Sequence, residues 1–369
     1  MDLITSNLKL KSAKGECNIY IQNGILDHVG EIVARHISGR TAVVVADSNT
    51  FPLFGERVQK SLETSGFKVA FSVFKAGETS KTPATLLKMY EDFNAADLTR
   101  SGVVIALGGG VCGDVAGFAA ATYLRGVSVV QVPTTLLAQV DSSIGGKTAI
   151  DMSFGKNSVG AFHQPIAVIS DPLLLGSLPA RVFSDGMAEV IKYGCIRDEE
   201  LLAVRSAEQT RSTEQTRPAK QTWPQIIYRC AKIKVDVVQA DEFDRGERML
   251  LNFGHTVGHA IEKVLNFSGF THGEAVGIGM VIAARVGARL GEADVEAQIV
   301  QALKANALPI DCSSQPNVDV ERVCQALGAD KKRDAAKINY VILEKIGVGK
   351  LREISLNELS QIVKEVWKV

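Results

Sequence analysis

The feature that most limits how this chain can fold is a series of short apolar runs, each closed by polar or glycine residues and separated from the next by a stretch of helical spacing. Thr41–Ala46 reads TAVVVA and stops at Asp47-Ser48-Asn49. Lys68–Phe74 (KVAFSVF), Val103–Leu107 (VVIAL), Val127–Val132 and Ile166–Ile169 are of the same kind. Runs this short, apolar at nearly every position rather than at alternate ones, predict strands buried on both faces. Helices must supply the cover, and the stretch from Pro52, Thr82–Phe93 and Gly113–Tyr123 have the spacing to do so. The pattern predicts an α/β domain on a mostly parallel sheet, whose ligands bind beyond the carboxyl ends of the strands.

From about Pro179 long helical periods take over, in Ser184–Cys195, Gln225–Ala240, Arg248–Val264, Gly273–Leu290 and Val295–Ala305. Near the end, Ile338–Leu343 and Lys350–Ile354 flank Gly347-Val348-Gly349, a hairpin pattern, and Ser355 stands three residues before Glu358 as a helix cap. The 369 residues are thus expected to divide into 1–178, an α/β domain, and 179–369, a mainly helical one. Ser206–Gln221, with a local EQTR duplication and no apolar face, is expected to be a solvated connection.

Lysine plus arginine number 41 and aspartate plus glutamate number 41, so the formal net charge is zero. A dedicated nucleic-acid binder needs a basic surplus to displace phosphate counterions, and that class is set aside; a local cationic pocket for a small anion is not. No apolar run approaches the roughly 18 residues that cross a bilayer. The opening MDLITSNLKLKSAKGE lacks the basic-then-apolar order of a signal peptide. Cys17, Cys112, Cys195, Cys230, Cys312 and Cys324 are scattered, with no C-x-x-C. They are expected to be reduced, buried and small, as in a cytoplasmic protein, rather than a disulfide framework or a thiolate zinc site.

Three groups of residues carry candidate chemistry. Gly108, Gly110 and Gly113 form a G-x-G-x-x-G after a strand and at the start of a helix, the context in which backbone N–H groups meet a pyrophosphate. The turn comes two strands later than in the usual dinucleotide fingerprint, and no acid stands near Gln131; Asp47 is the alternative ribose partner. A tight turn that packs helix on sheet is the plain alternative. Gly145-Gly146-Lys147-Thr148 mimics the tail of a P-loop, but Asp141 occupies the place of its first glycine, so a Walker A motif is excluded. His255, His259 and His272 are three of only six histidines and fall within 18 residues. On a helix His255 and His259 share a face, which suits a metal site, a buried polar network or a single catalytic histidine. Glu189 stands on an otherwise apolar helix with Lys192 at i+3, a candidate ligand or an ordinary ion pair.

In order along the chain, these segments resemble the dehydroquinate synthase family of the sugar phosphate cyclases. The resemblance rests on Asp47-Ser48-Asn49, Ala76–Lys81 (AGETSK), Gly108–Gly117 (GGGVCGDVAG), Arg125–Pro165, Gly186–Gly194 (GMAEVIKYG), Arg248–Ala260 (RMLLNFGHTVGHA), His272–Met280 (HGEAVGIGM) and Asp330-Lys331-Lys332. It implies a Rossmann-like, parallel-sheet NAD-binding domain followed by a mostly α-helical metal- and substrate-binding domain. It implies a lyase of the shikimate route that turns 3-deoxy-D-arabino-heptulosonate 7-phosphate into 3-dehydroquinate and phosphate. NAD would take a hydride, the resulting ketone would acidify the neighbouring C–H, phosphate would leave, the hydride would return, and ring opening and aldol closure would follow. The implied cofactors are NAD and a divalent metal, zinc or alternatively cobalt. The implied partner is a small phosphorylated sugar acid, with no nucleic acid or membrane, in a cytoplasmic homodimer.

By motif match the resemblance makes Glu189, His255 and His272 metal ligands. Asp47, Asn49, Glu78, Lys81, Gly109, Gly110, Asp114, Thr134 and Thr135 become cofactor contacts, joined by Lys147 and Lys156, which also serve the substrate. Asp141, Asn157, Lys192, Lys234, Arg248, Asn252, His259 and Lys331 or its neighbour Lys332 become substrate and catalytic residues, and Arg125 reaches a phosphate across the dimer interface. The nearest rivals are 2-deoxy-scyllo-inosose and 2-epi-5-epi-valiolone synthases, then a metal-dependent polyol dehydrogenase, then a non-catalytic nucleotide-binding protein.

Overall fold

In the computed structural model, which describes residues 7–13, 15–205, 222–329 and 337–367, the five apolar runs become strands of one seven-stranded sheet. Its strands are β1 (Leu8–Ser12), β2 (Gly15–Ile21), β3 (Thr41–Asp47), β4 (Lys68–Phe74), β5 (Val103–Gly108), β6 (Ser128–Pro133) and, after a separate hairpin of β7 (Lys147–Met152) and β8 (Gly155–Phe162), β9 (Ala167–Ser170). The order is β1-β2-β9-β6-β5-β3-β4. Every pairing is parallel except β1 with β2. All six residues of β5 are buried, as an apolar run between two helical layers must be. Helices α1 (Val29–Ala34) and α2 (Phe51–Thr64) cover one face, packing Ile32, Val58 and Leu62 with Val44 and Ile105 of the sheet. Helices α3 (Pro83–Ala95) and α4 (Gly110–Thr122) cover the other, where Met89, Phe93 and Val115 meet Val43, Val45 and Val104.

From β3 the chain runs outward to the edge strand β4 and then returns to β5 on the opposite side of β3. Such a reversal opens a crevice at the carboxyl ends of the two strands. Asp47 ends β3 and Gly108 ends β5, so the expected glycine turn stands at this crevice. The P-loop-like tail does not lead into a helix: Lys147 opens β7.

The chain forms two compact units, Met1–Leu178 with Gln221–Phe243, and Pro179–Lys220 with Asp244–Val369. The expected division after residue 178 therefore needs one correction. The helix α6 (Trp223–Ala240), placed by its period with the helical part, belongs to the first unit, where it packs against β1, β2 and the helical turn Ala138–Ser142. In the second unit, α8 (His272–Arg289) packs against α5 (Ala180–Ile196), α7 (His255–Val264), α9 (Glu296–Lys304), α11 (Leu356–Val366) and β10 (Lys337–Lys345). The helix α10 (Val320–Ala329) lies on α7 and α11, and β10 pairs with β11 (Val348–Ser355) as the expected hairpin. Ser355 Oγ accepts the Glu358 N–H at 3.1 Å, the expected cap. The Ser206–Gln221 connection and Lys331 and Lys332 lie outside the described residues.

The single helix expected over Arg248–Val264 is two pieces. A 3₁₀ turn, Glu247–Asn252, ends at Gly254, whose φ of 78° is left-handed, and α7 starts afresh at His255. No helix continues through such a residue, and glycine adopts it without steric cost. The break lets α7 meet α8 closely. A Cβ on Gly279 would fall on the Gly254 carbonyl oxygen and 2.9 Å from the Gly258 nitrogen. Gly279→Ala should therefore force α7 and α8 apart and cost about 1–3 kcal/mol in denaturant unfolding. The control Gly328→Ala, on a helix where a Cβ meets nothing within 4 Å, should be neutral or stabilising; equal stability of the two variants would contradict the close crossing.

Candidate functional site

Glu189 lies on α5 among apolar neighbours and is 2% exposed. Two imidazoles converge on it: Glu189 Oε1 is 3.5 Å from His255 Nε2 and 3.4 Å from His272 Nε2. These separations exceed the usual hydrogen-bond length of about 2.7–3.2 Å. They match the spacing of about 3.4 Å between ligand atoms held about 2.0–2.1 Å from one tetrahedral cation. The other carboxylate oxygen, Oε2, pairs with Lys192 Nζ yet accepts no aligned hydrogen bond among the described residues. His255 Nδ1 is 3.1 Å from the Phe253 carbonyl, so the Nδ1–H donates there and Nε2 presents its lone pair to the carboxylate. The chemistry, the separations and the tautomer all fit a divalent cation held by Glu189, His255 and His272.

Electrostatics point the same way. Burial pushes the Glu189 carboxyl up, but the Lys192 ammonium and the two imidazoles outweigh burial and hold it well below the ordinary carboxylate range. Burial also acts to lower His272, but Glu189 and Glu262 outweigh it and push the imidazole up to about 10. A cation taken up by His272 therefore competes with a proton.

Of the other residues singled out in the second unit, Lys192 pairs with Glu189, and the His259 ring neighbours those of His255 and His272. Lys192 is 1% exposed and Arg248 2%, two buried cations on α5 and on the 3₁₀ turn before α7. Asn252 ends that turn. His259 is exposed, one helical turn past His255, with ring centroids 5.4 Å apart. Sequence reasoning missed Glu262, buried at 6% exposure beside His259 and His272. Its signal was an acid directly after buried Ala260 and Ile261 and three residues past His259.

In the first unit, the glycine turn meets the start of α4, whose N-cap Gly109 makes no side-chain cap bond. A Cβ on Gly109 would stand 3.0 Å from Thr135 Cγ2 and one on Gly110 3.2 Å from Ser142 Oγ, so a side chain there would have to push these neighbours aside. The Thr134 N–H donates to the Gly108 carbonyl at 2.9 Å and joins β6 to the turn. Asp47 Oδ1 accepts the N–H groups of Asn49 and Thr50 at 2.8 and 2.9 Å, which aims the strand end. This cradle suits a pyrophosphate on a helix N-terminus with an acid at the neighbouring strand end.

A second cluster of that unit joins the β4–α3 turn, α4 and the β7–β8 hairpin. Lys81, 3% exposed, donates to Asp114 Oδ2 at 2.6 Å and to Asn157 Oδ1. Lys156 Nζ lies 3.2 Å from Glu78 Oε1. Burial lowers Lys81, but Asp114 and Glu78 outweigh it and raise the ammonium. Lys234 of α6 pairs with Asp141 of the helical turn. Lys147 is exposed at the start of β7. Arg125 is exposed, with a left-handed φ of 66°, in the turn that follows α4. It thus lies at the end of that 13-residue helix away from Gly110, about 20 Å along its axis.

Residues 71–185 match the family model described as 3-dehydroquinate synthase N-terminal, and residues 186–333 the one described as 3-dehydroquinate synthase C-terminal. The curated 3-dehydroquinate synthase of Clostridium acetobutylicum is 40% identical over 362 residues, 97% of this chain and 99% of that protein. A solved structure of 2-deoxy-scyllo-inosose synthase complexed with carbaglucose-6-phosphate, NAD+ and Co2+ matches with TM-score 0.80 and 24% identity, over 97% of this chain and 99% of that one. The 2-epi-5-epi-valiolone synthase of Streptomyces hygroscopicus subsp. jinggangensis, with NAD+ and Zn2+ bound, matches with TM-score 0.81 and 24% identity, over 97% and 98%. At that identity the two structures show a shared fold.

If the Glu189 triangle is a cation site, His255→Ala should abolish retention of zinc through gel filtration, measured by metal analysis. Full occupancy in that variant would remove His255 from the ligand set.

Proposed function

The chain belongs to the 3-dehydroquinate synthase family, and from that we propose that it converts 3-deoxy-D-arabino-heptulosonate 7-phosphate into 3-dehydroquinate and phosphate, a lyase step of the shikimate route. Glu189, His255 and His272 hold one divalent cation, zinc or in its place cobalt. Gly109, Gly110, Thr134 and Thr135 cradle the pyrophosphate of NAD, with Asp47 and Asn49 toward the ribose and Glu78, Lys81 and Asp114 as further contacts. When bound, the dinucleotide accepts and returns a hydride and the cation polarises the substrate oxygens. The observation that carries this proposal is the Glu189–His255–His272 triangle with its metal-like 3.4 and 3.5 Å spacings.

The remaining residues bind and orient. Lys147, Lys156, Lys192 and Arg248 neutralise the phosphate and carboxylate of a highly anionic substrate, which explains how a chain of zero net charge binds it. Buried cations such as Lys192 and Arg248 act at low effective dielectric, where each contact is stronger than in water. Asn157, Asn252 and His259 orient the leaving group and ring oxygens, and the Asp141–Lys234 pair presents a fixed acid and ammonium to the substrate hydroxyls. Lys331 adds a further cation. No side chain is assigned as the general base, since the substrate phosphate carries acceptor oxygens of its own.

The protein works as a cytoplasmic homodimer, and Arg125 serves the partner subunit's phosphate site. Six free, buried thiols support a reducing compartment. Arg125 lies roughly 20 Å along α4 from the glycine turn, farther than an arginine side chain spans, so it is no part of the dinucleotide cradle of its own unit.

Two measurements test these assignments. Protein supplied with catalytic NAD and zinc should release phosphate and 3-dehydroquinate from the heptulosonate phosphate without net NADH, and a chelator should stop it. Preferred turnover of glucose 6-phosphate or sedoheptulose 7-phosphate would assign one of the rival cyclases, and NADH in proportion to product a polyol dehydrogenase. Inactive Arg125→Ala protein, mixed with inactive His255→Ala protein and allowed to exchange subunits, should recover up to about a quarter of full activity per site; none recovered would contradict action in trans.

A further inference from the structure

Glu262 is a buried carboxylate that the motif-matched set leaves out. It sits on α7 at 6% exposure, and an acid so buried carries a desolvation cost that partners must offset. Two imidazoles stand near it. Glu262 Oε2 lies 3.6 Å from His272 Nδ1 and 4.0 Å from His259 Nε2. His272 thus has a carboxylate at each ring nitrogen: Glu189 at Nε2, 3.4 Å away, and Glu262 at Nδ1. The two rings that face Glu189 obtain their second partner differently. His255 Nδ1 meets a backbone carbonyl, that of Phe253 at 3.1 Å, which the chain itself fixes. His272 is the first residue of α8, and its Nδ1 faces a side chain from α7 instead. A ligand imidazole must keep its proton on the nitrogen away from the cation, and an acceptor there fixes the ring and raises its basicity.

We propose that Glu262 is a positioning residue: its carboxylate faces the Nδ1 side of His272 at 3.6 Å, longer than a formed hydrogen bond, and becomes the acceptor of the Nδ1–H when a cation engages Nε2, which keeps the Nε2 lone pair toward Glu189 Oε1. The proposal rests on the assignment of Glu189, His255 and His272 as ligands of one cation. It concerns the position of an acceptor oxygen rather than a charge. Glu262→Gln keeps that oxygen at the same reach, Glu262→Asp keeps the charge but withdraws the oxygen by one methylene, and Glu262→Ala removes both.

The test is competition of the full-length protein and its variants with a chromophoric chelator for Zn2+, together with the visible absorption spectrum of the Co2+ form and thermal unfolding of the apoprotein. The original protein should bind one equivalent tightly. E262Q should stay within a few-fold of it, E262D should fall below E262Q, and E262A should lose about 10–100-fold in affinity with displaced Co2+ bands. A residue that only supports packing would lower the unfolding temperature without this order of affinities. Unchanged affinity and spectrum in E262A would overturn the proposal, as would E262D at full affinity beside a weakened E262Q. A second zinc equivalent, lost both in E262A and in His259→Ala, would also overturn it by making Glu262 a ligand with His259 and His272. Should E262A not fold, the order of E262Q and E262D decides alone. Failure of the original protein to bind zinc would overturn the ligand assignment and this proposal together, whereas the outcomes above overturn only the proposal.

Discussion

A carboxylate that is 2% exposed must be given partners, and the rest of the second unit is arranged around that need at Glu189. Leaving an ionised acid alone in an apolar helix would cost several kcal/mol. Lys192 from the same helix and His255 and His272 from two others supply the compensation and hold the carboxyl ionised. The same arrangement fits a set of cation ligands: one anionic oxygen and two imidazole nitrogens at spacings longer than usual hydrogen bonds and right for a shared metal ion. The solution to a burial problem is also the arrangement that the proposed metal site needs.

Backbone geometry makes the convergence achievable. Gly254 starts α7 anew, and Gly279 lets α8 pass against the first turn of α7 where any side chain would collide. His255 and His272, each the first residue of its helix, come from these two closely packed segments. Thr271 and Glu274 close a capping box at the start of α8, with the Thr271 N–H donating to Glu274 Oε2 at 2.8 Å, so the end that carries His272 is fixed. In the first unit a parallel sheet solves a different problem. Its reversal between β3 and β5 sets bare glycine backbone beside an acidic strand end, which is what a dinucleotide phosphate needs.

Much of this was legible in the residues because the signals are local. The apolar runs gave the central strands, since burial on both faces keeps nearly every position apolar, with Gln131 of β6 an exception. The glycine turn, the i, i+4 histidines and the capped last helix all sit where their spacing puts them. What was not legible depends on contacts distant in sequence. α6 reads like the helices of the second unit, and only its packing on β1, β2 and the Ala138–Ser142 turn places it in the first. The alternating Leu8-Lys9-Leu10-Lys11 marks an edge strand, a signal that a search for continuous apolar runs passes over. Arg248–Val264 keeps a helical period through Gly254, and the break goes with the close approach of Gly279, 25 residues downstream. Glu189 could be named a candidate, but its distance from the histidines could not; Glu262 looked like any acid on an amphipathic helix until His272 was set beside it.

X-ray absorption at the zinc edge of the loaded protein examines the Glu189–His255–His272 ligand set itself. The expected result is nitrogen and oxygen neighbours only, at about 2.0–2.1 Å, with the outer-shell scattering of two imidazoles. Sulfur at about 2.3 Å, or a shell without imidazole scattering, would contradict it.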